Sequence, residues 1–221
     1  MAEVARNKER LALPDDLGAL ADSVRGFMPS AEGEALAYWA TRALDGPSSV
    51  GIEIGSYCGK STIYLAYAAS LVGATIVSVD HHHGSEENGP GWTHHDSVLV
   101  DPISHEIDTL YRFRRTLAIS GLDSHVAAVV APSQVAAALL LERAKMVFID
   151  GGHGHDIAWS DYLCYAPKVA PGGLLIIHDV FEDPSQGGRP PWEIYTDAIG
   201  SGAFFEVGRE GSLRVLRSVM R

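Results

Sequence analysis

Residues 50–61 read Val50-Gly51-Ile52-Glu53-Ile54-Gly55-Ser56-Tyr57-Cys58-Gly59-Lys60-Ser61. The apolar run at 50–55 is short and β-branched, which suits a buried strand. The glycines that follow lead into a helical stretch, STIYLAYAASLV, reaching about residue 72. Strand, glycine turn and helix open an alternating α/β pattern, and the rest of the chain continues it. ATIVSVD (74–80) is a second strand ending in an acid, and HVAAVVA (125–131) is a third. KMVFID (145–150) is the fourth and LLIIHDV (174–180) the fifth. Helices are expected over 101–120, where Ile103, Ile107, Leu110, Phe113 and Leu117 recur at steps of three and four, over 133–143 and over 155–169. Gly172 and Gly173 mark the end of the last of these. Short continuous apolar strands separated by helices predict five parallel strands with helices on both faces. AFFEVGREGSLRVLRS then predicts a C-terminal antiparallel hairpin turning around Arg209–Gly211.

Composition limits the partners. The 221 residues hold 28 Asp and Glu against 17 Lys and Arg, a net charge of −11. Such acidity repels phosphate backbones and anionic lipid, so neither nucleic acid nor a membrane is expected as a partner. Cys58 and Cys164 have no CxxC spacing and suggest neither a disulfide framework nor a thiolate zinc site. MAEVARNKERLALPDD at the N-terminus lacks a signal-type apolar core, and a cytoplasmic protein is expected.

In an open parallel sheet, ligands bind beyond the carboxyl ends of the strands. The loop after the first strand lets backbone approach a ligand closely. Its spacing departs from a phosphate loop, because only three residues separate Gly55 from Gly59, and the GxGxxG fingerprint is absent. Asp80, ending the second strand, suits the two hydroxyls of a ribose, although an acid there also serves as a strand-end cap. Asp150 ends the fourth strand, ahead of Gly151, Gly152 and His153, and His178 with Asp179 ends the fifth. Carboxylates and imidazole brought together at one sheet edge are costly unless a divalent cation compensates them. This donor set suits Mg²⁺ or Mn²⁺, or else a set of hydrogen-bonded strand caps.

In that order and spacing, VGIEIGSYCGKST, VSVD, FIDGGH and PGGLLIIHDV resemble the class I S-adenosylmethionine-dependent methyltransferases. The nearest branch is that of metal-dependent small-molecule and sugar O-methyltransferases. The resemblance implies a Rossmann-like methyltransferase fold in a single domain over 1–221, with a helical cap or lid over 1–45 and the core over 46–221. It implies that Glu53, Gly55, Ser56, Tyr57, Gly59 and Ser61 surround the methionine part of S-adenosyl-L-methionine, with Met28 covering it. Asp80 would bind the ribose with His81 beside it, Ser133 would lie near the adenine, and Asp150 would border the cofactor. Asp150, His178 and Asp179 would hold the metal, although the family's usual pair after the fifth strand contains no histidine. His153 matches the family's proposed catalytic base. A homodimer is a further family expectation.

Five histidines fall within residues 81–95. The loop that holds them is long and polar, which suits a cover over the substrate better than a zinc site. Trp92, His94, Arg189 and Trp192 are candidate acceptor contacts, the tryptophans as stacking faces for a sugar ring; Trp39 and Trp159 lie in helical patterns and belong to the core. The reading is an O-methyltransferase acting on a small polyhydroxylated acceptor, a sugar hydroxyl first and a mannoside among the candidates. A phenolic natural product is the alternative acceptor. A non-catalytic nucleoside-binding domain or a phosphate-loop kinase is the alternative of another class.

Overall fold

The computed structural model describes residues 9–86, 89, 91, 95–140 and 142–219. Among these the chain forms helices α1 (Asp15–Ser23), α2 (Ser30–Ala43), α3 (Lys60–Val72), α4 (Leu110–Ser120), α5 (Ser133–Leu139), α6 (His155–Tyr165) and α7 (Arg189–Gly200). The strands are β1 (Val50–Ile54), β2 (Thr75–Asp80), β3 (Val126–Val130), β4 (Ala144–Ile149), β5 (Val169–Ile177), β6 (Phe204–Glu210) and β7 (Leu213–Ser218). They make one sheet in the order β3-β2-β1-β4-β5-β7-β6. The first five strands are parallel, and β7 lies antiparallel between β5 and β6. Strand order reverses between β1 and β4, and that switch point opens a crevice at the carboxyl edge.

The α/β expectation therefore holds, hairpin included. Two apolar layers explain why the inner strands read as unbroken apolar runs. One gathers Leu36, Trp39, Ile63 and Leu65 of α2 and α3 against Met146, Phe148 and Ile176. The other gathers Ala136, Tyr162, Tyr165 and Ile194 of α5, α6 and α7 against Ile52, Val147 and Ile177. Trp39 is buried in the first layer and Trp159 packs against the second, as expected. No helix among the described residues is long and apolar enough to cross a membrane.

Several boundaries differ from the sequence reading. The helix expected over 101–120 starts only at Leu110. Upstream, Asp101 accepts the amides of Ile103 and Ser104, closing a turn that competes with helix and leaves Ile103 88% exposed. The helix over 133–143 stops at Leu139. The helix from 155 ends at Tyr165 in a short 3₁₀ turn containing Pro167, which has no amide to donate. Gly172 and Gly173 do not end that helix. They lie inside β5, which begins at Val169 and shifts register against β4 there. Gly173 sits so close to the carbonyls of Lys145 and Ala170 that a Cβ would stand 2.7 and 2.9 Å from them.

Candidate active site

The loop after β1 turns sharply because Gly55 adopts φ 85° and passes close to β4: a Cβ there would lie 2.2 Å from the Asp150 carbonyl oxygen. Asp80 holds the loop from the next strand. Its Oδ2 accepts the amides of Ser56 (2.9 Å) and Tyr57 (2.8 Å), and its Oδ1 accepts that of His82 (2.7 Å). Tyr57 and His82 both take positive φ, 48° and 63°, conformations that need such outside support. A carboxylate offers about four acceptor positions. Three are filled from the backbone, so Asp80 is both a strand-end cap and an acid with capacity left toward a ligand.

A cavity of about 600 Å³ opens above these strand ends. Met28, Gly55, Ser56, Tyr57, Ser61, Asp80, His81, Ser133, Asp150, His153, His178 and Asp179 all lie on its wall. Ser56 adds a sign that the wall is made for a ligand, because its buried hydroxyl has no hydrogen-bond partner. Two residues expected at the cofactor lie off the wall. Gly59 caps α3 at φ 91° and faces Phe113 and Thr116. Glu53 is fully buried beneath the loop, accepting the hydroxyls of Ser61 (2.6 Å), Thr62 (2.7 Å) and Ser78 (2.7 Å). Burial pushes its carboxyl up to about 7, against the opposing pull of those hydroxyls.

At the β4–β5 end, Asp150, His153 and Asp179 converge, each offering a ligand atom within 4.8 Å of the others. Asp179 is fixed with φ 55°, its Oδ2 3.1 Å from His153 Nε2 and 3.3 Å from His178 Nδ1. His178 does not have a free nitrogen to offer a metal, and this corrects the expected ligand set. Its Nδ1 lies 2.9 Å from Asp150 Oδ1 and its Nε2 2.5 Å from Glu32 Oε2. Glu32, from the first turn of α2, in turn accepts the Ser212 amide at 2.6 Å. Burial alone would lower the His178 pKa, but the adjoining Asp150, then Asp179 and Glu32, raise it well above the usual imidazole range. With both ring nitrogens turned to carboxylates, His178 braces Asp150 and Glu32 rather than facing the cavity as a ligand. Burial would likewise raise Asp179, yet its bonds to His153 and His178 hold it well below the ordinary carboxylate range. Asp150 moves the other way, raised chiefly by burial.

The carboxylates of Asp150 and Asp179, both on the cavity wall, suit a divalent ion such as Mg²⁺ or Mn²⁺, and both belong to the expected ligand set. His153 stands beside them, where a base rather than a ligand is expected.

The acceptor contacts fare differently. Trp92 and His94 lie outside the described residues. Arg189 and Trp192 are off the cavity wall: the guanidinium lies 5.7 Å over the Trp192 ring and donates to the Glu182 carbonyl, while Trp192 packs against the α6–α7 layer. The wall beyond the acids is made instead by Phe27, Phe181, Gln186, Gly187 and Gly188. Sequence reasoning also missed Glu32 and Asp161. Both sit within helices, where a single acid usually means a solvated face, and only tertiary packing turns them inward.

The chain matches the model of the methyltransferase-domain family over residues 52–180, more than half of its length, and belongs to that family. Its fold recurs in solved structures of low identity. An O-methyltransferase, TomG, from Streptomyces achromogenes involved in tomaymycin synthesis, in complex with SAM, shares 15% identity at a TM-score of 0.63, covering 95% of this chain and 92% of that one. A putative caffeoyl-CoA O-methyltransferase from Staphylococcus aureus shares 11% at 0.64, covering 93% of each chain. A putative O-methyltransferase from Klebsiella pneumoniae shares 14% at 0.63, covering 94% and 91%.

Proposed function

We propose that this chain transfers the methyl group of S-adenosylmethionine to a hydroxyl of a small polyhydroxylated acceptor, with a sugar as first choice and a divalent cation assisting. The observation that carries the reading is the convergence of Asp150, Asp179 and His153 on the cavity that also holds the glycine loop, Asp80 and Ser133. Solved neighbours named as O-methyltransferases, one of them in complex with SAM, support the donor and the oxygen acceptor.

Asp80 would accept the ribose hydroxyls, and the unpartnered Ser56 hydroxyl and the buried Met28 support seating the rest of the donor beside them. Asp150 and Asp179 would hold the cation. When bound, the cation supplies Lewis acidity that lowers the pKa of the acceptor hydroxyl. His153 takes the hydroxyl proton as the oxygen attacks the methyl carbon and the carbon–sulfur bond breaks. The sulfonium loses its charge in that step, so holding the two reactants in line supplies much of the acceleration.

Phe27, Tyr57 and Phe181 on the wall favour a second reading, a flat phenolic acceptor stacked between aromatic rings. In both readings the partner is a small molecule, with nucleic acid and membranes disfavoured by the net charge of −11; a cytoplasmic homodimer is part of the proposal. Calorimetry with S-adenosylhomocysteine and with ATP tests the donor. Binding of the first alone is expected, and binding of ATP alone overturns the reading in favour of a kinase. A labelled-methyl screen over mannosides, other sugars and catechols, with Mg²⁺ or Mn²⁺ and with chelator, then separates the acceptors. Undiminished turnover in chelator removes the cation.

A further inference from the structure

We propose that the acceptor carries an anionic substituent, a carboxylate or a phosphate, and that Lys60 with Arg25 holds it at the mouth of the cavity. The inference rests on the transfer reaction proposed above and deepens it by naming the charge of the acceptor.

Among the described residues, Lys60 and Arg25 supply the lysine and the arginine on the cavity wall. Both stand at its outer rim. The segment Arg25-Gly26-Phe27-Met28 before α2 runs along the wall, and it passes from the interior to solvent within two residues. Met28 is buried, Phe27 is 57% exposed and the Arg25 side chain 46%. Lys60, the first residue of α3, lies against the outer part of that segment. A Cβ on Gly26 would stand 3.1 Å from the Lys60 Cβ and 3.3 Å from its Cδ, so the glycine leaves room for the aliphatic stem. The rings of Phe27 and Tyr57, with centroids 5.8 Å apart, stand beside it on the same rim.

The charges explain why a ligand is needed. Elsewhere in this acidic chain, Arg10 pairs with Glu210, Lys145 with Asp45 and Arg209 with Glu206. The half-buried Lys60 forms no ion pair or side-chain hydrogen bond with any described residue. Arg25 gives one nitrogen to Asp96 and keeps the rest of its guanidinium. Arg112 of α4 adds to the same field: burial raises the Cys58 thiol to about 12, and Arg112 and Arg25 pull against it. The opposing acids are already engaged, Asp96 by Arg25 and Asp80 by three backbone amides. An unpaired cation on a cavity wall is compensated most directly by an anion that the ligand brings. The methyl donor has a carboxylate of its own, but its seat is the inner wall at Met28 and Ser56. Lys60 and Arg25 border the opening through which an acceptor enters.

The test is calorimetry on protein saturated with S-adenosylhomocysteine, using acceptors paired with and without the anion. Catechol is compared with 3,4-dihydroxybenzoate, methyl mannoside with mannuronate, and mannose with mannose 6-phosphate. In at least one pair the anionic member is expected to bind about tenfold more tightly, the size of one hydrogen bond to a charged group. The pair that shows it separates carboxylate from phosphate. Lys60→Met should shrink that preference to within about threefold, and Lys60→Arg should keep it. Unchanged affinity of Lys60→Met for S-adenosylhomocysteine shows that the variant folds and that Lys60 does not hold the donor. A loss of S-adenosylhomocysteine affinity of about tenfold in Lys60→Met, restored in Lys60→Arg, puts Lys60 on the donor and overturns the inference. Equal affinities within every pair in the wild type, or a preference that survives in Lys60→Met, overturns it while leaving the methyl donor standing. Failure of the wild type to bind S-adenosylhomocysteine overturns the transfer reaction and this inference together.

Discussion

Two polar clusters built around carboxylates stand on neighbouring strands at the same sheet edge, and they are built in opposite ways. Glu53 on β1 is surrounded by three neutral hydroxyls and no cation, and its carboxyl rises to about 7. Asp150, Asp179 and Glu32 surround His178 and raise its pKa well above the usual imidazole range, while Asp179 is held well below the ordinary carboxylate range. Hydroxyls can share a proton with a carboxyl group but cannot neutralise it, whereas an imidazolium can. The first cluster ties β1, β2 and α3 together beneath the loop. The second keeps negative charge facing a cavity, which is what binding a cation or steering a proton requires.

Breaking the second cluster should have the larger effects. Asp179→Ala is expected to lower turnover by about a thousandfold or more, the scale of removing a Lewis-acid site, while S-adenosylhomocysteine affinity changes by less than about threefold. Parallel calorimetry with Mn²⁺ should show the ion's affinity lost; unchanged Mn²⁺ binding would remove Asp179 from the cation site. His153→Ala should lower kcat by about 10²–10⁴. A base must be unprotonated to act, so the rise of rate with pH should also disappear in this variant. A profile that keeps its rising limb ends the assignment of His153 as base. His178→Ala leaves Asp150, Asp179 and Glu32 facing one another without the ring that braces them and should destabilise the fold by roughly 3–5 kcal/mol, read from denaturant midpoints. Loss of less than about 1 kcal/mol would mean that His178 is not the brace described here.

The contrast between the clusters was only half legible in the sequence. Strand ends are easy to find, because an apolar run stops at a polar residue. Asp80, Asp150, His178 and Asp179 were therefore placed at the correct edge, together with the sheet and its hairpin. Which way a strand-end side chain points is not written in such a run. Glu53 lies one residue before the end of β1, so the alternation of the strand turns it under the loop and away from the cavity. His178 was expected as a ligand, but its partner Glu32 comes from 146 residues away on α2, and no local pattern announces that contact. Arg189 and Trp192 follow glycine and proline, which mark a loop, yet both belong to the first turn of α7, where they pack on each other. Asp161 is the reverse case, a helix acid that burial turned into part of the wall.

Breaking the first cluster should cost less, and its signature is a pH dependence. Glu53 has a folded-state pKa near 7 against an ordinary value of 4.5, so the folded protein binds its proton more tightly than the unfolded chain does. The stability this contributes is fully present below about pH 4.5 and drains away as pH rises through 7. Over that window the wild type should lose roughly 3 kcal/mol that Glu53→Gln does not lose, because the amide has no proton to release. Melting curves of both proteins from pH 4.5 to 8 give the difference directly, and parallel curves would show that Glu53 is not held in its protonated form. The smallest effect belongs to the wall above it. Ser56→Ala removes a buried hydroxyl that has no partner in the protein, so the fold should be unchanged or stabilised by up to about 1 kcal/mol. If that hydroxyl awaits the methyl donor, the same change should weaken S-adenosylhomocysteine by about three- to tenfold. A variant with both stability and affinity unaltered would show that Ser56 merely tolerates its isolation, and that the cofactor end of the cavity is defined by backbone and Asp80 alone.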